Sequence, residues 1–201
     1  MKNILLQIIL ILLSHSLFSQ TIFFDENNNV ISKEEFRNRK IKNEEFKVYN
    51  DSLKTAKIVS NRSEMGEIDS EKLINDLNKL LNLEINKDKP TIIIFYPGKD
   101  RCNSSGTTTD KILFLAFKER EEKVNKIRSS NFIYVYKNTK GIKAIKTIAW
   151  RKDPKNIIEN TFFNYHYPCS SYAILYKNKY IDHLGEFSDE FILKDLNTIL
   201  E

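Results

Sequence analysis

The chain contains 201 residues, of which 41% are hydrophobic and 29% are charged, with two cysteines, five glycines and four prolines. This composition is typical of one globular domain with an appendage, and it excludes a collagen-like, low-complexity or disulfide-dense scaffold. The formal charge is only +5, from 32 basic and 27 acidic residues. We therefore expect no nucleic-acid partner, because dedicated nucleic-acid binders usually have a larger positive surplus.

Residues 1–19 have the pattern of a secretory signal peptide. Lys2 precedes an almost continuous apolar run over residues 4–13, and small and polar residues follow it. This run is shorter than the roughly 20 residues that a membrane-spanning helix requires. We expect cleavage between Ser19 and Gln20, no membrane span afterwards, and a periplasmic or extracellular location. An uncleaved membrane anchor is the alternative.

Residues 20–67 differ from the rest of the chain and form an N-terminal extension in our interpretation. Two phenylalanines precede the turn-prone residues 25–29, which predicts a short hairpin of strands 21–25 and 30–32. Mixed charges with few apolar residues follow until Ile58. This pattern predicts a charged and poorly packed segment.

Residues 68–201 show regular alternation of helix and strand signals. Asp69 and Ser188 are cap-type residues, and Asp153-Pro154 is a helix start with proline at the first helical position. The predicted elements are helix 70–82, strand 91–96, a helix from residues 107–110 to about 128, strand 132–136, a helix from 154 to 163, strands 172–176 and 180–184, and a last helix after 188. This order predicts a mixed sheet with helices on both faces.

Two segments in this region resemble the thioredoxin-like fold. The apolar residues 92–97 precede Cys102, and residues 167–179 combine a proline, Cys169 and a predicted hairpin. The resemblance covers residues 68–201 and implies an α/β three-layer sandwich with a mixed central sheet. It also implies that the first segment delivers Cys102 to the start of a helix, and that Pro168 belongs to a cis-proline loop facing that cysteine.

The sequence departs from the thioredoxin-like pattern at several positions. Cys102 is followed three residues later by Ser105, so the motif is the monothiol form Cys-x-x-Ser without a second cysteine. Arg101 replaces the aromatic residue that normally precedes the cysteine. Pro168 precedes its strand by more residues than usual, and residues 137–152 replace a short loop.

The resemblance places Cys102 at the exit of one strand and Cys169 before the entry of its antiparallel neighbour, so that the two sulfurs could form a disulfide. One interpretation is a structural bridge, which would stabilise the fold by roughly 4 kcal/mol by closing a long loop. The other is a redox pair, in which Lys99, Arg101 and the helix dipole favour the Cys102 thiolate and Cys169 resolves the mixed disulfide with a protein substrate.

Two histidines lie in the same part of the chain. His166, with Cys102 and Cys169, could offer an imidazole and two thiolates to a soft metal such as copper, although a solvated loop histidine is the simpler interpretation. His183 is expected at the surface. We expect no cofactor, and the sequence contains no phosphate-binding loop and no serine- or metallo-hydrolase motif.

The basic character of the chain is concentrated in residues 137–155. This window has seven basic residues and one acidic residue, so its formal charge is +6. The candidate residues for binding an acidic partner are Lys140, Lys143, Lys146, Arg151 and Lys152. A solvated basic face over an apolar one is the alternative. Function therefore remains divided between an exported thiol-disulfide oxidoreductase and a non-catalytic binding module, and the oligomeric state is not indicated.

Overall fold

A computed structural model describes residues 21–42, 45–101, 103–104, 108–142 and 147–201. The chain divides into two compact units, with the division between Asn61 and Arg62. The expected signal peptide lies outside the described residues, so that export stays a prediction. Within the described ranges, no helix is both long enough and apolar enough to cross a membrane.

Among its described residues, the first unit contains a mixed four-stranded sheet and one short helix. The elements are β1 (Ile22–Phe24), β2 (Val30–Ile31), α1 (Lys33–Asn38), β3 (Phe46–Asn50) and β4 (Thr55–Val59). The sheet order is β2-β1-β4-β3, in which β1 is parallel to β4 and the two outer pairs are antiparallel. The predicted hairpin near the start of the extension is confirmed as the β1–β2 pair.

The expectation that the rest of the extension is poorly packed is wrong. Phe36, Ala56 and Ile58 are fully buried and form a small core. The ring of Phe23 lies 5.0 Å from that of Phe36. Ala56 and Ile58 occupy alternate positions of β4, so the strand buries one face while Lys57 between them points the other way.

The second unit contains six strands and four helices among the described residues. They are β5 (Ser63–Glu67), α2 (Ser70–Leu81), β6 (Thr91–Tyr96), α3 (Asp110–Ile127), β7 (Asn131–Tyr136), β8 (Arg151–Lys152), α4 (Ile157–Phe162), β9 (Ser171–Tyr176), β10 (Lys179–His183) and α5 (Asp189–Leu200). A 3₁₀ turn (Pro154–Asn156) precedes α4. Every helix and strand predicted for residues 68–201 is present, with small differences at the ends.

The six strands form a mixed sheet in the order β5-β10-β9-β6-β7-β8. Strands β6, β7 and β8 are parallel, whereas β5, β10 and β9 are joined to one another and to β6 by antiparallel pairing. Helix α3 connects the parallel pair β6–β7, and the β9–β10 hairpin pairs with the other edge of β6. The predicted mixed α/β arrangement is therefore confirmed.

Two strands of this sheet were not predicted. Strand β8 has only two residues, and β5 has the polar sequence Ser-Glu-Met-Gly-Glu, which shows no apolar alternation. Because β5 pairs with β10 over five residues, it belongs to the second unit. This unit therefore begins at Arg62 rather than at residue 68.

Central strand β6 is buried at all six positions. Ile92 and Ile94 pack in one core with Val124 of α3 and Leu196 of α5. On the other face, Phe95 stacks on the ring of Phe163 directly after α4, with ring centroids 5.0 Å apart. Continuous apolar sequence is what a strand covered on both faces requires.

Candidate functional site

The candidate site lies where two loops of the second unit meet. The loop after β6 leads to Cys102, and the loop before β9 contains Cys169. Because β6 and β9 are antiparallel with Phe95 opposite Ser171, the end of β6 and the start of β9 lie side by side. The predicted closeness of these two strand ends is therefore confirmed.

Cys169 is partly buried and has a left-handed backbone conformation, with φ of 66°. Its sulfur is disulfide-bonded, and no described cysteine is free. The only other cysteine of the sequence, Cys102, lies outside the described residues, as does Ser105. The pairing of Cys102 with Cys169 therefore stays a prediction.

The carboxylate of Asp100 joins the two loops. Its Oδ2 atom accepts a 2.9 Å hydrogen bond from the backbone N–H of Cys169 and lies 3.3 Å from Nε2 of His166. Its Oδ1 atom accepts a 3.0 Å bond from the backbone N–H of Asn103. The Asn103 side chain in turn accepts from the Asp100 N–H and donates to the carbonyl of Gly98. One carboxylate thus fixes both loops.

Three charged side chains of these two loops are described. Lys99 and Arg101 are exposed, so that solvent screens their charges. Helix α3 begins at Asp110 with Thr109 as its N-cap, eight positions after Cys102. Because Cys102 lies outside the described residues, the effect of the helix dipole on its thiolate stays a prediction. The Asp100 carboxylate contacts the backbone N–H of Cys169, and its negative charge opposes a thiolate there.

Pro168 does not have the conformation that the resemblance implies. No peptide bond in the part of the chain that the structure describes is cis.

Gly185 packs closely against Pro168. It has φ of 81°, and a Cβ atom at this position would lie 3.4 Å from the Pro168 ring. Its N–H donates a 2.9 Å hydrogen bond to the Ser171 hydroxyl. Gly185 therefore packs against the loop that contains Cys169.

The two histidines have different surroundings. The His166 side chain is 40% exposed and faces Asp100. The described residues include no group of three or more potential metal ligands, and Cys102, a member of the proposed copper set, lies outside them. The expectation that His183 lies at the surface is wrong, because its side chain is buried and stacks on Tyr172 at 5.3 Å between ring centroids.

His183 belongs to a buried polar cluster that the sequence did not reveal. The Tyr172 hydroxyl donates a 2.6 Å hydrogen bond to Asp195. Burial raises the pKa of Asp182 to about 7 and lowers the pKa of His183 to about 4. Both residues are therefore largely uncharged in the fold over much of the weakly acidic range, which is how buried ionisable groups avoid the cost of desolvation.

A cleft of about 330 Å³ lies beside Cys169. Its lining comes from β6, α3, the residues around Trp150 and the loops that precede β9 and α5, and most of its side chains are apolar or aromatic. The sequence does not reveal this cleft, because its residues are far apart in the chain. The signal for Asp100 is the pattern Asp-x-x-Asn, which in a loop indicates an Asx-type turn.

Parts of the basic segment 137–155 form hydrogen bonds with other elements of the second unit. The backbone carbonyl of Lys140 accepts a 3.0 Å hydrogen bond from the Tyr96 hydroxyl, and Arg151 donates a 3.2 Å bond to the carbonyl of Leu81. Lys140 and Lys152 are exposed. Lys143 and Lys146 lie outside the described residues, so a continuous basic face stays a prediction.

No protein-family model, curated protein or solved structure matches the chain.

Proposed function

We propose that the second unit is a thioredoxin-like domain in which Cys102 and Cys169 form a redox-active disulfide of an exported protein. The fold proposal is supported by the parallel β6–α3–β7 unit and by the antiparallel β9–β10 hairpin on the other edge of β6. This is the arrangement that the resemblance implies.

One observation carries the functional proposal. Cys169 is disulfide-bonded and partly exposed, it borders a cleft, and its loop is tied to an aspartate only two residues before the other cysteine. A purely structural bridge gains stability from burial, whereas a sulfur that exchanges with a partner must be accessible. The position of Cys169 at a cleft provides that access.

The proposed exchange proceeds in two steps. In the reduced protein, the Cys102 thiolate attacks a substrate disulfide, which forms a mixed disulfide and releases one substrate thiolate. The Cys169 thiol then loses its proton and attacks Cys102, so that the Cys102–Cys169 bond forms and the second substrate thiol leaves. Two electrons pass from the protein to the substrate, and the reverse sequence oxidises a substrate dithiol.

The second candidate is a non-catalytic module with a permanent Cys102–Cys169 bridge. It is favoured by the Asp100 carboxylate beside Cys169, since a nearby negative charge disfavours the thiolate that exchange requires. In this case the exposed Lys140 and Lys152, together with the other basic residues of 137–155, would bind an acidic partner.

Insulin reduction tests the two candidates. If the pair exchanges disulfides, the wild-type protein reduces insulin and Cys102→Ser abolishes the reaction, whereas Cys169→Ser traps a mixed disulfide. The reduction potential is expected near about −200 mV for an exchanging pair and below about −300 mV for a structural bridge. No reduction by the wild-type protein, together with the lower potential, would contradict the redox proposal.

Export is tested separately at the N-terminus. Expressed with its first 19 residues in a bacterial host that secretes proteins, the mature chain is expected to begin at Gln20. A chain that retains Met1 in the cell membrane would instead support the uncleaved anchor.

A further inference from the structure

The cleft beside Cys169 leaves aromatic surface uncovered. The side chains of Leu113, Phe117, Trp150 and Phe187 line it and are only partly buried, although each packs against the main core of the unit. Apolar surface that stays in contact with water is unfavourable unless a ligand removes it. A cleft of about 330 Å³ is at the lower end of the size range of small-molecule sites.

The wall of this cleft is held rigid by one arginine. The Arg120 guanidinium carbon lies 5.1 Å from the centre of the Phe117 ring and 5.2 Å from that of Phe187. Its Nε donates a 2.7 Å hydrogen bond to Asp189, and both of these charged side chains are largely buried. Cation–π contacts and an ion pair therefore fix two aromatic rings on either side of Arg120.

The Phe117 ring also makes contacts with two other aromatic rings. Phe117 meets Trp150 edge-to-face with ring centroids 6.0 Å apart, and Phe117 also meets Tyr134 at 5.0 Å. The Tyr134 hydroxyl donates a 2.7 Å hydrogen bond to Glu121. Because these ring contacts are made within the chain itself, binding would cost little ordering of side chains.

The charges favour an uncharged ligand. Asp189 balances the charge of Arg120, a residue of the cleft lining, and also pairs with Lys123. An anion would compete with Asp189 for Arg120, and a cation would meet the positive charge of Arg120. We propose that this cleft binds a small, uncharged aromatic molecule with its ring against Phe117 and Trp150.

Ligand binding can be measured by the fluorescence of Trp150, because it is the only tryptophan of the sequence. The probe is N-phenyl-1-naphthylamine, an uncharged aromatic amine that accepts excitation energy from tryptophan. We expect saturable quenching of Trp150 with energy transfer to one probe per chain, and no competition by an excess of its sulfonated analogue. Absence of saturable quenching would overturn the proposal.

A matched pair of variants on α3 identifies the site. Leu113→Lys introduces a charge into the cleft and should weaken binding at least tenfold, whereas Leu115→Lys, at a position that is 55% exposed, should leave the affinity within about twofold. Ile142→Lys, on a loop of the same lining, repeats the test if Leu113→Lys does not fold. Equal binding by the cleft and control variants would overturn the proposal, as would binding of aromatic peptides without binding of the free molecule.

Discussion

The Oδ2 atom of Asp100 and the backbone N–H of Cys169 form a 2.9 Å hydrogen bond across 69 residues of sequence. This bond holds the Cys169 loop against the loop that leads to Cys102, independently of any covalent link. In the proposed Cys102–Cys169 pair, it would preorganise the two thiols for disulfide formation. Such preorganisation increases the effective concentration of one thiol at the other.

Asp100→Ala should raise the reduction potential of the cysteine pair. We expect about a tenfold loss of effective concentration, which corresponds to a shift of about 30 mV towards less negative values. The measurement is equilibration with glutathione buffers, followed by alkylation of free thiols and mass spectrometry. Asp88→Ala, which removes an exposed loop aspartate, should leave the potential unchanged. An unchanged or more negative potential for Asp100→Ala would contradict this role.

Asp182 and His183 should influence stability in opposite directions as the pH changes. The pKa of Asp182 is raised from 3.8 to about 7, so its contribution is complete below pH 4 and is lost as the pH rises through 7. The pKa of His183 is lowered from 6.5 to about 4, so its contribution is complete above pH 6.5 and is lost as the pH falls through 4. Between pH 4 and pH 6.5, the changes in these two contributions offset each other in the wild-type protein.

Single substitutions should separate these two contributions. Asp182→Asn retains an oxygen that can accept the Glu64 N–H. Relative to wild type, it should gain stability as the pH rises from 4 to 7, by at most about 4 kcal/mol. His183→Phe retains a ring against Tyr172. Relative to wild type, it should be most stabilised near pH 4, and this advantage should decrease as the pH rises to 6.5. Urea unfolding at several pH values measures both, and parallel pH profiles for all three proteins would contradict the assignment.

The N-terminal unit should depend strongly on Phe36. This ring is 1% exposed and contacts the Phe23 and Tyr49 rings at 5.0 and 5.9 Å. Phe36→Ala should cost about 3 to 5 kcal/mol, because it leaves a cavity in a very small core. Loss of hydrogen-exchange protection in residues 22–59 is the measurement. Leu53→Ala, at a turn position that is 66% exposed, is the control and should retain protection.

The part of the fold that sequence predicts well is the part with dense local signals. Strand β6 is an uninterrupted run of β-forming residues, and α2 begins at the predicted cap, where Asp69 accepts the Lys72 N–H at 2.9 Å. In contrast, β5 has little apolar sequence and is identified by its pairing with β10. Its place in the sheet is decided by β10, which lies more than 100 residues away, so no local pattern identifies it.

The same contrast between local and long-range signals explains which parts of the candidate site the sequence predicts. The closeness of the two strand ends follows from an antiparallel pair that the order of elements predicts. The sequence does not indicate the role of Asp100, because its partners Cys169 and His166 belong to another loop and a carboxylate between Lys99 and Arg101 is typical of ordinary surface charge. The burial of His183 is not predictable either, because a single histidine on a strand gives no indication of which face it occupies.

Gly141 should not tolerate a side chain. It has φ of 91°, and a Cβ atom would lie 2.6 Å from the Tyr96 hydroxyl oxygen, which itself donates a hydrogen bond to the Lys140 carbonyl. Gly141→Ala should therefore lower the free energy of unfolding by about 1 to 3 kcal/mol, from the backbone strain together with the loss of this bond. Urea unfolding of the oxidised protein measures the loss.

Tyr96→Phe should reduce the cost of Gly141→Ala, because it removes the oxygen atom that the new Cβ would meet. The hydroxyl deletion alone should cost about 1 kcal/mol for the lost hydrogen bond. In a double-mutant cycle, we expect the pair to be about 1 kcal/mol more stable than the sum of the single losses predicts. Gly98→Ala is the matched control, since its Cβ would meet Asn138 at 3.3 Å instead, and Tyr96→Phe should not change its cost. Additive losses for Gly141→Ala and Tyr96→Phe would show that backbone strain alone requires glycine at position 141.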